Sequence, residues 1–100
     1  MKLDSNEKAI LDFEKYLEFA PDADVSNSIG VCYQKMRKYQ ESIRHFTKAI
    51  EIGTNPVFYL NRSYSYFALQ NMEQAKKDAL MAKQNGIQIS SEYAASIGIQ

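Results

Sequence analysis

Apolar positions recur along this chain at three- and four-residue intervals, which is the spacing of one face of a helix. The first such stripe is Ala9, Ile10, Phe13, Tyr16 and Leu17, and it predicts a helix over about 5–19. Asp4 or Ser5 can cap its start, Glu7 suits the positive end of the helix dipole, and Pro21 follows its end. A second helix over about 24–37 turns Ile29, Tyr33 and Met36 inward. A third over about 40–52 turns Ile43, Phe46, Ala49 and Ile50 inward and stops at Gly53, which is expected in a left-handed conformation. Asn55-Pro56 supplies the cap and first residue of a fourth helix reaching about Leu69. Asn71 caps a fifth over about 72–85, ended by Gly86, and a short sixth starts at Ser90 or Ser91 and includes 92–96. Alternation of the kind a half-buried strand needs is confined to Gly86–Ile89, too short to pair, so this segment is read as loop.

The pattern repeats at a constant interval. Ala9, Ser42 and Ala75 are evenly spaced and all small. The same interval separates Phe13, Phe46 and Ala79, and again Tyr16, Ala49 and Ala82. In the preceding helices it pairs Gly30 with Ser63, Tyr33 with Tyr66 and Met36 with Leu69. Small residues at 30, 42, 63 and 75 allow two antiparallel helices to approach closely, while aromatics at 33 and 66 fill the space between neighbouring pairs. One helix pair cannot bury both of its faces, so the pairs must stack into an elongated coil with a concave inner side.

The string S-I-G-V-C-Y-Q-K-M-R-K-Y-Q-E-S-I-R-H-F-T-K-A-I resembles a tetratricopeptide repeat spanning about 25–54, through Gly30, Tyr33, Tyr39, Ser42, Phe46 and Ala49. The segment N-P-V-F-Y-L-N-R-S-Y-S-Y-F-A-L-Q-N-M-E-Q-A matches again through Tyr59, Ser63, Tyr66 and Ala75, and residues 7–21 are similar to the second half of a preceding repeat. The chain departs from the family at three points. Ser26 stands where an early tryptophan is usual, Ala79 stands where an aromatic is usual, and the link near Gly53-Thr54 is one position short of the family's usual spacing. The resemblance implies an all-α, right-handed superhelical stack of antiparallel helix pairs, about two and a half repeats. These would be a half repeat at 4–21, repeats at 24–54 and 55–87, and a capping segment at 88–100, where Tyr93 and Ile97 cover the last apolar face. A stack normally needs at least three repeats, which leads to the expectation that the chain is a piece of a longer array or larger protein.

Composition limits the chemistry. Twelve Lys plus Arg balance twelve Asp plus Glu, with residues 1–23 at a net −3 and 24–56 at +2, so no strong field attracts nucleic acid or an anionic membrane. No apolar run approaches the roughly 20 residues of a membrane helix, and the charged start lacks a signal-peptide pattern. Cys32 is the only cysteine, so no internal disulfide forms, and a cytoplasmic setting is expected. With His45 it could make a Cys–His pair, but no carboxylate is patterned to orient it, and no cluster supplies the ligands of a metal site. Phosphate-binding glycine loops are absent. The expectation is therefore a non-enzyme without cofactors.

The resemblance implies a protein-interaction scaffold that holds a peptide or helix on its concave face. The residues it places in the groove are Asn27, Val31, Gln34 and Lys35, then Leu60, Asn61, Tyr64 and Phe67. Leu60, Tyr64 and Phe67 form a second apolar stripe; either the short last helix covers Leu60 and Phe67, or Tyr64 and part of Phe67 stay accessible beside Asn61 as an anchor for a partner. Of the carboxylate clamp found in co-chaperone members only Asn61 is present, so tail clamping is not expected. Two other readings are a regulatory or positioning appendage of a larger, possibly membrane-bound, enzyme, and weak homodimerisation through Leu3, Ile10 and Leu17 on the open edge of the first helix.

Overall fold

The computed structural model describes residues 4–99 and is all-helical over them. Its elements are α1 (Ser5–Leu17), α2 (Ala23–Lys35), α3 (Tyr39–Ile52), α4 (Val57–Ala68), α5 (Met72–Gln84) and α6 (Ser91–Ser96). From α1 to α5 each helix packs on the next, and α2 also touches α4. The stack measures 44 × 29 × 18 Å, the elongated form that nearest-neighbour packing of helix pairs produces.

Side chains fix where the helices begin. The Asp4 carboxylate accepts from the Glu7 N–H at 2.8 Å, and Asp22 does the same for Val25 at 3.1 Å. Asn55 accepts from Val57, Asn71 from Gln74, and Ser90 from Tyr93. Each bond satisfies a backbone donor that the helix leaves orphaned.

The helix ends repeat one device. After α2 the Lys38 N–H donates to Tyr33 O and the Arg37 N–H to Gln34 O. The same pair of bonds recurs after α4, from Asn71 to Tyr66 O and from Gln70 to Phe67 O. It recurs again at Ile87 and Gly86 after α5, and at Ile99 and Gly98 after α6. This is the Schellman geometry, which needs a left-handed residue just past the helix. Gly86 (φ 94°) and Gly98 (φ 79°) adopt it without a Cβ penalty, but Arg37 (φ 62°) and Gln70 (φ 63°) carry side chains there. A left-handed backbone costs a non-glycine residue about 1–2 kcal/mol, partly offset by the entropy a glycine would lose on folding. Arg37→Gly and Gln70→Gly should each therefore stabilise the protein by about 0.5–1 kcal/mol. Thermal unfolding checks this; a midpoint lowered by either substitution would refute it.

Gly53 departs from the expected left-handed conformation. It is extended (φ −129°, ψ 172°), and its N–H closes the last turn of α3 on Ala49 O. Glycine is needed there for proximity, because a Cβ would lie 2.9 Å from the Ala23 Cβ at the start of α2.

The core forms two clusters. Ile10, Ile29 and Cys32 make one, flanked by Phe13, Leu17, Tyr33 and Met36. Ala75, Ala79, Ile97 and Ile99 make the other, flanked by Tyr66, Phe67 and Tyr93. Tyr93 and Ile97 pack in that second cluster, Ile97 being 5% exposed. Between the clusters Phe46, Ala49, Ser42 and Ser63 are fully buried. The expectation that Ile10 forms part of an exposed edge is corrected, because Ile10 is buried against Ile29 and Cys32 of α2. Leu17 is half-buried, and Leu3 lies outside the described residues. The Ser26 hydroxyl is fully buried with no hydrogen-bond partner among the described residues, a cost of about 1–3 kcal/mol.

Candidate functional site

α2 and α4 touch, and between them they carry all eight residues expected to face the groove. Three of these residues bind one another across the helix boundary. The Asn61 amide donates to Asn27 Oδ1 at 2.9 Å. The Gln34 amide donates to Asn61 O at 3.0 Å and to Ser65 Oγ at 2.9 Å. Ser65 then meets Ser42 Oγ at 2.7 Å, and Ser42 donates to Tyr39 O at 2.7 Å. The Ser42 proton is committed to that carbonyl, so Ser65 is the donor between the two hydroxyls. A directional chain therefore runs from Gln34 through two fully buried serines to the start of α3. Closed polar chains of this kind rigidify a packing arrangement, because breaking any member orphans a buried group.

The apolar members of the set divide. Phe67 is half-buried, and Tyr93 of α6 meets it edge-on at 5.5 Å. Tyr93 meets Tyr64 at 4.6 Å, also edge-on, within the range where aromatic pairs add to simple burial. Its hydroxyl lies 2.7 Å from Ser63 Oγ, which itself donates to Ala75 O at 2.6 Å, so Tyr93 is the donor to Ser63. Burial pushes the Tyr93 phenol up from its ordinary range, which keeps it protonated for that bond. Tyr64 nevertheless stays 39% exposed. Val31 and Leu60 are half-buried, and so is Gln34, while Lys35 is exposed at the end of α2. The surface thus offers apolar area and one ammonium beside an amide row whose own donors are largely committed to holding α2 against α4.

Two features escape a reading of the sequence alone. Arg62 of α4 and Asp78 of α5 form a two-pronged ion pair, with Nε 2.8 Å from Oδ2 and Nη2 2.9 Å from Oδ1. Nη1 donates to Thr47 at 3.1 Å, and the Tyr59 and Tyr66 rings lie 5.7 and 5.8 Å from the guanidinium carbon. The available signal is register: Arg62 falls at the repeat position that Ile29 occupies on α2, a charge on an otherwise packing stripe. The serine chain through Ser42 and Ser65 leaves a weaker signal, because in the sequence both residues read only as small.

Cys32 and His45 do not form an activated pair. Cys32 is buried, and burial pushes its thiol up, with Lys35 pulling weakly the other way; a nucleophilic thiolate needs the opposite shift. His45 stacks on Tyr33 at 5.4 Å. Desolvation, then the positive Arg44 and Lys48, push its imidazole down. No group of three or more His, Cys, Asp or Glu among the described residues is placed to hold a metal ion. None of their helices is long and apolar enough to cross a membrane.

Comparison with known proteins points the same way. Residues 23–53 match the family model for the tetratricopeptide repeat. Over 69 residues the chain is 33% identical to the DnaJ homolog subfamily C member 7 homolog of Schizosaccharomyces pombe, a stretch that covers 66% of this chain and 14% of that protein. The chain thus spans only a small part of that relative. No solved structure matches. Residues 23–53, over α2 and α3, are thus a tetratricopeptide repeat set in an all-helical stack of that type, and the family supports a general role in protein–protein interaction.

Proposed function

We propose that the face formed by α2 and α4 holds an extended segment of a partner protein. The observation that carries this reading is the accessible Tyr64, 39% exposed beside half-buried Val31 and Leu60, on helices locked together by the Asn27–Asn61–Gln34 row. Aromatic side chains concentrate binding energy when a partner desolvates them, and a rigid surface loses little entropy on binding. Lys35, at the end of the same face, selects for an acidic or carboxylate-bearing group in the segment.

The test is selection of binders from a random-peptide library, followed by affinity measurement against variants with checked helicity. Tyr64→Ala combined with Lys35→Glu should weaken selected peptides by about tenfold or more. Arg44→Glu, on the exposed side of α3, should leave them unchanged. Peptides that bind the double variant as tightly as the parent would place the binding surface elsewhere.

A further inference from the structure

The turn that ends α5 places an asparagine directly before a glycine. Of the six asparagines in the chain, Asn85 alone has this neighbour. Asn6, Asn27, Asn61 and Asn71 precede residues with larger side chains, and Asn55 precedes Pro56, which has no backbone N–H. An asparagine side chain can react with the amide nitrogen of the next residue, and a glycine there leaves that nitrogen unshielded because it has no Cβ. The surroundings set Asn85 further apart. Asn85 and Gly86 are both exposed, and a Cβ added at Gly86 would meet nothing within 4 Å. Asn27 and Asn61 instead lie within α2 and α4, bonded to each other. Asn71 is held as the cap of α5 by the N–H of Gln74.

We propose that Asn85–Gly86 is a self-modification site, at which the folded protein converts Asn85 to aspartate and isoaspartate in water. The Gly86 nitrogen, after losing its proton to base, attacks Asn85 Cγ. A bond forms between that nitrogen and Cγ, the Cγ–Nδ2 bond breaks, and Nδ2 leaves as ammonia, protonated by water. Water then opens the cyclic imide at either carbonyl, giving aspartate or the isomer whose main chain runs through Cγ. Nothing is oxidised or reduced. The turn sets the rate. Asn85 sits at φ −104°, ψ 21°. Its amide donates to Met81 O at 2.8 Å, and the Gly86 N–H donates to Lys83 O at 3.1 Å. Both reacting groups are thus held, and ring closure requires the turn to open and ψ to swing away from this value. Exposed hydrogen bonds at a helix end are the class that opens at least cost. The product does not restore the turn. A new carboxylate stands at the negative end of the α5 dipole, without the amide donor for Met81 O. In isoaspartate the main chain is longer by a methylene, which displaces the Gly86 and Ile87 donors from Lys83 O and Ala82 O. Ile89, just beyond, packs on the second core cluster, so the change loosens the segment that returns the chain to that core.

The test is incubation of the full chain in mildly alkaline buffer, native and in guanidinium chloride, with timed peptide mapping by mass spectrometry that tells isoaspartate from aspartate. In the native protein the peptide carrying Asn85 should convert ahead of those carrying the other five asparagines, with isoaspartate among its products. It should convert more slowly than in denaturant, because the turn must first open. Asn85→Gln, at an exposed position, should abolish this early conversion and leave the other asparagines unchanged. Converted protein, separated by its added charge, should unfold at a midpoint about 2 °C or more below that of the unconverted chain. A native chain in which Asn85 survives as long as the other asparagines overturns the proposal. Equal rates with and without denaturant overturn control by the turn, and a converted protein that melts with the parent overturns the loosening.

Discussion

Asp78→Ala should destabilise the protein by about 3–5 kcal/mol, the range for removing one partner of a buried ion pair. The Asp78 side chain is 4% exposed and that of Arg62 is 17% exposed. Without the carboxylate, the guanidinium keeps only Thr47 and the faces of Tyr59 and Tyr66. Those rings offer about 0.5–2 kcal/mol each at best, less than the desolvation that the carboxylate now offsets. A guanidinium holds its proton at any ordinary pH, so without Asp78 the cation cannot escape the penalty by becoming neutral. A domain of this size shifts by about 4–8 °C per kcal/mol, so the thermal midpoint should fall by about 12 °C or more. The double variant Arg62→Met with Asp78→Leu should recover most of that loss, because replacing both charges with apolar groups removes the orphan. A loss below about 1 kcal/mol for Asp78→Ala would mean that water reaches Arg62 freely.

The pair also marks where sequence reasoning stops. Backbone periodicity is readable: five long helices and a short sixth fall within a few residues of expectation, and the caps at Asn71 and Ser90 act as their side-chain chemistry suggests, whereas α4 starts one residue later than expected, with Pro56 at the cap and Asn55 before it. These depend on neighbours three or four residues away. Groove chemistry depends on how α4 is staggered against α2, which no local spacing encodes. Asn27, Gln34 and Asn61 sit on touching helices, yet their hydrogen bonds, with Asn27 accepting and the other two donating, join those helices to each other. Gly53 misleads for a related reason. A glycine after a helix suggests a positive φ, but the residue answers a tertiary demand, the close approach of Ala23. Arg37 and Gln70 hide the reverse case, left-handed residues without the glycine that usually announces them.

Gly30→Leu should cost about 1–3 kcal/mol or more through overpacking of the α2–α3 contact. A Cβ at residue 30 would meet Phe46 Cε1 at 2.5 Å, Cδ1 at 2.6 Å and Cζ at 3.0 Å. Phe46 is fully buried, so its ring has no solvent into which to swing. Gly30→Ala separates the two effects at work. Alanine gains about 1 kcal/mol of helix propensity over glycine, but the contact forces α2 and α3 apart along their shared length, and the packing loss should win. Combining Gly30→Ala with Phe46→Leu removes the ring that the methyl strikes, so the pair should be less damaging than the sum of its single effects. The second helix pair already shows that solution: Ser63 and Ala79 stand in register with Gly30 and Phe46, and Tyr93 of α6 packs into the cluster around Ala79. Chemical denaturation of the four proteins in this cycle supplies the measurement. Gly30→Ala at parental stability, with no coupling to residue 46, would show that the helices part without cost.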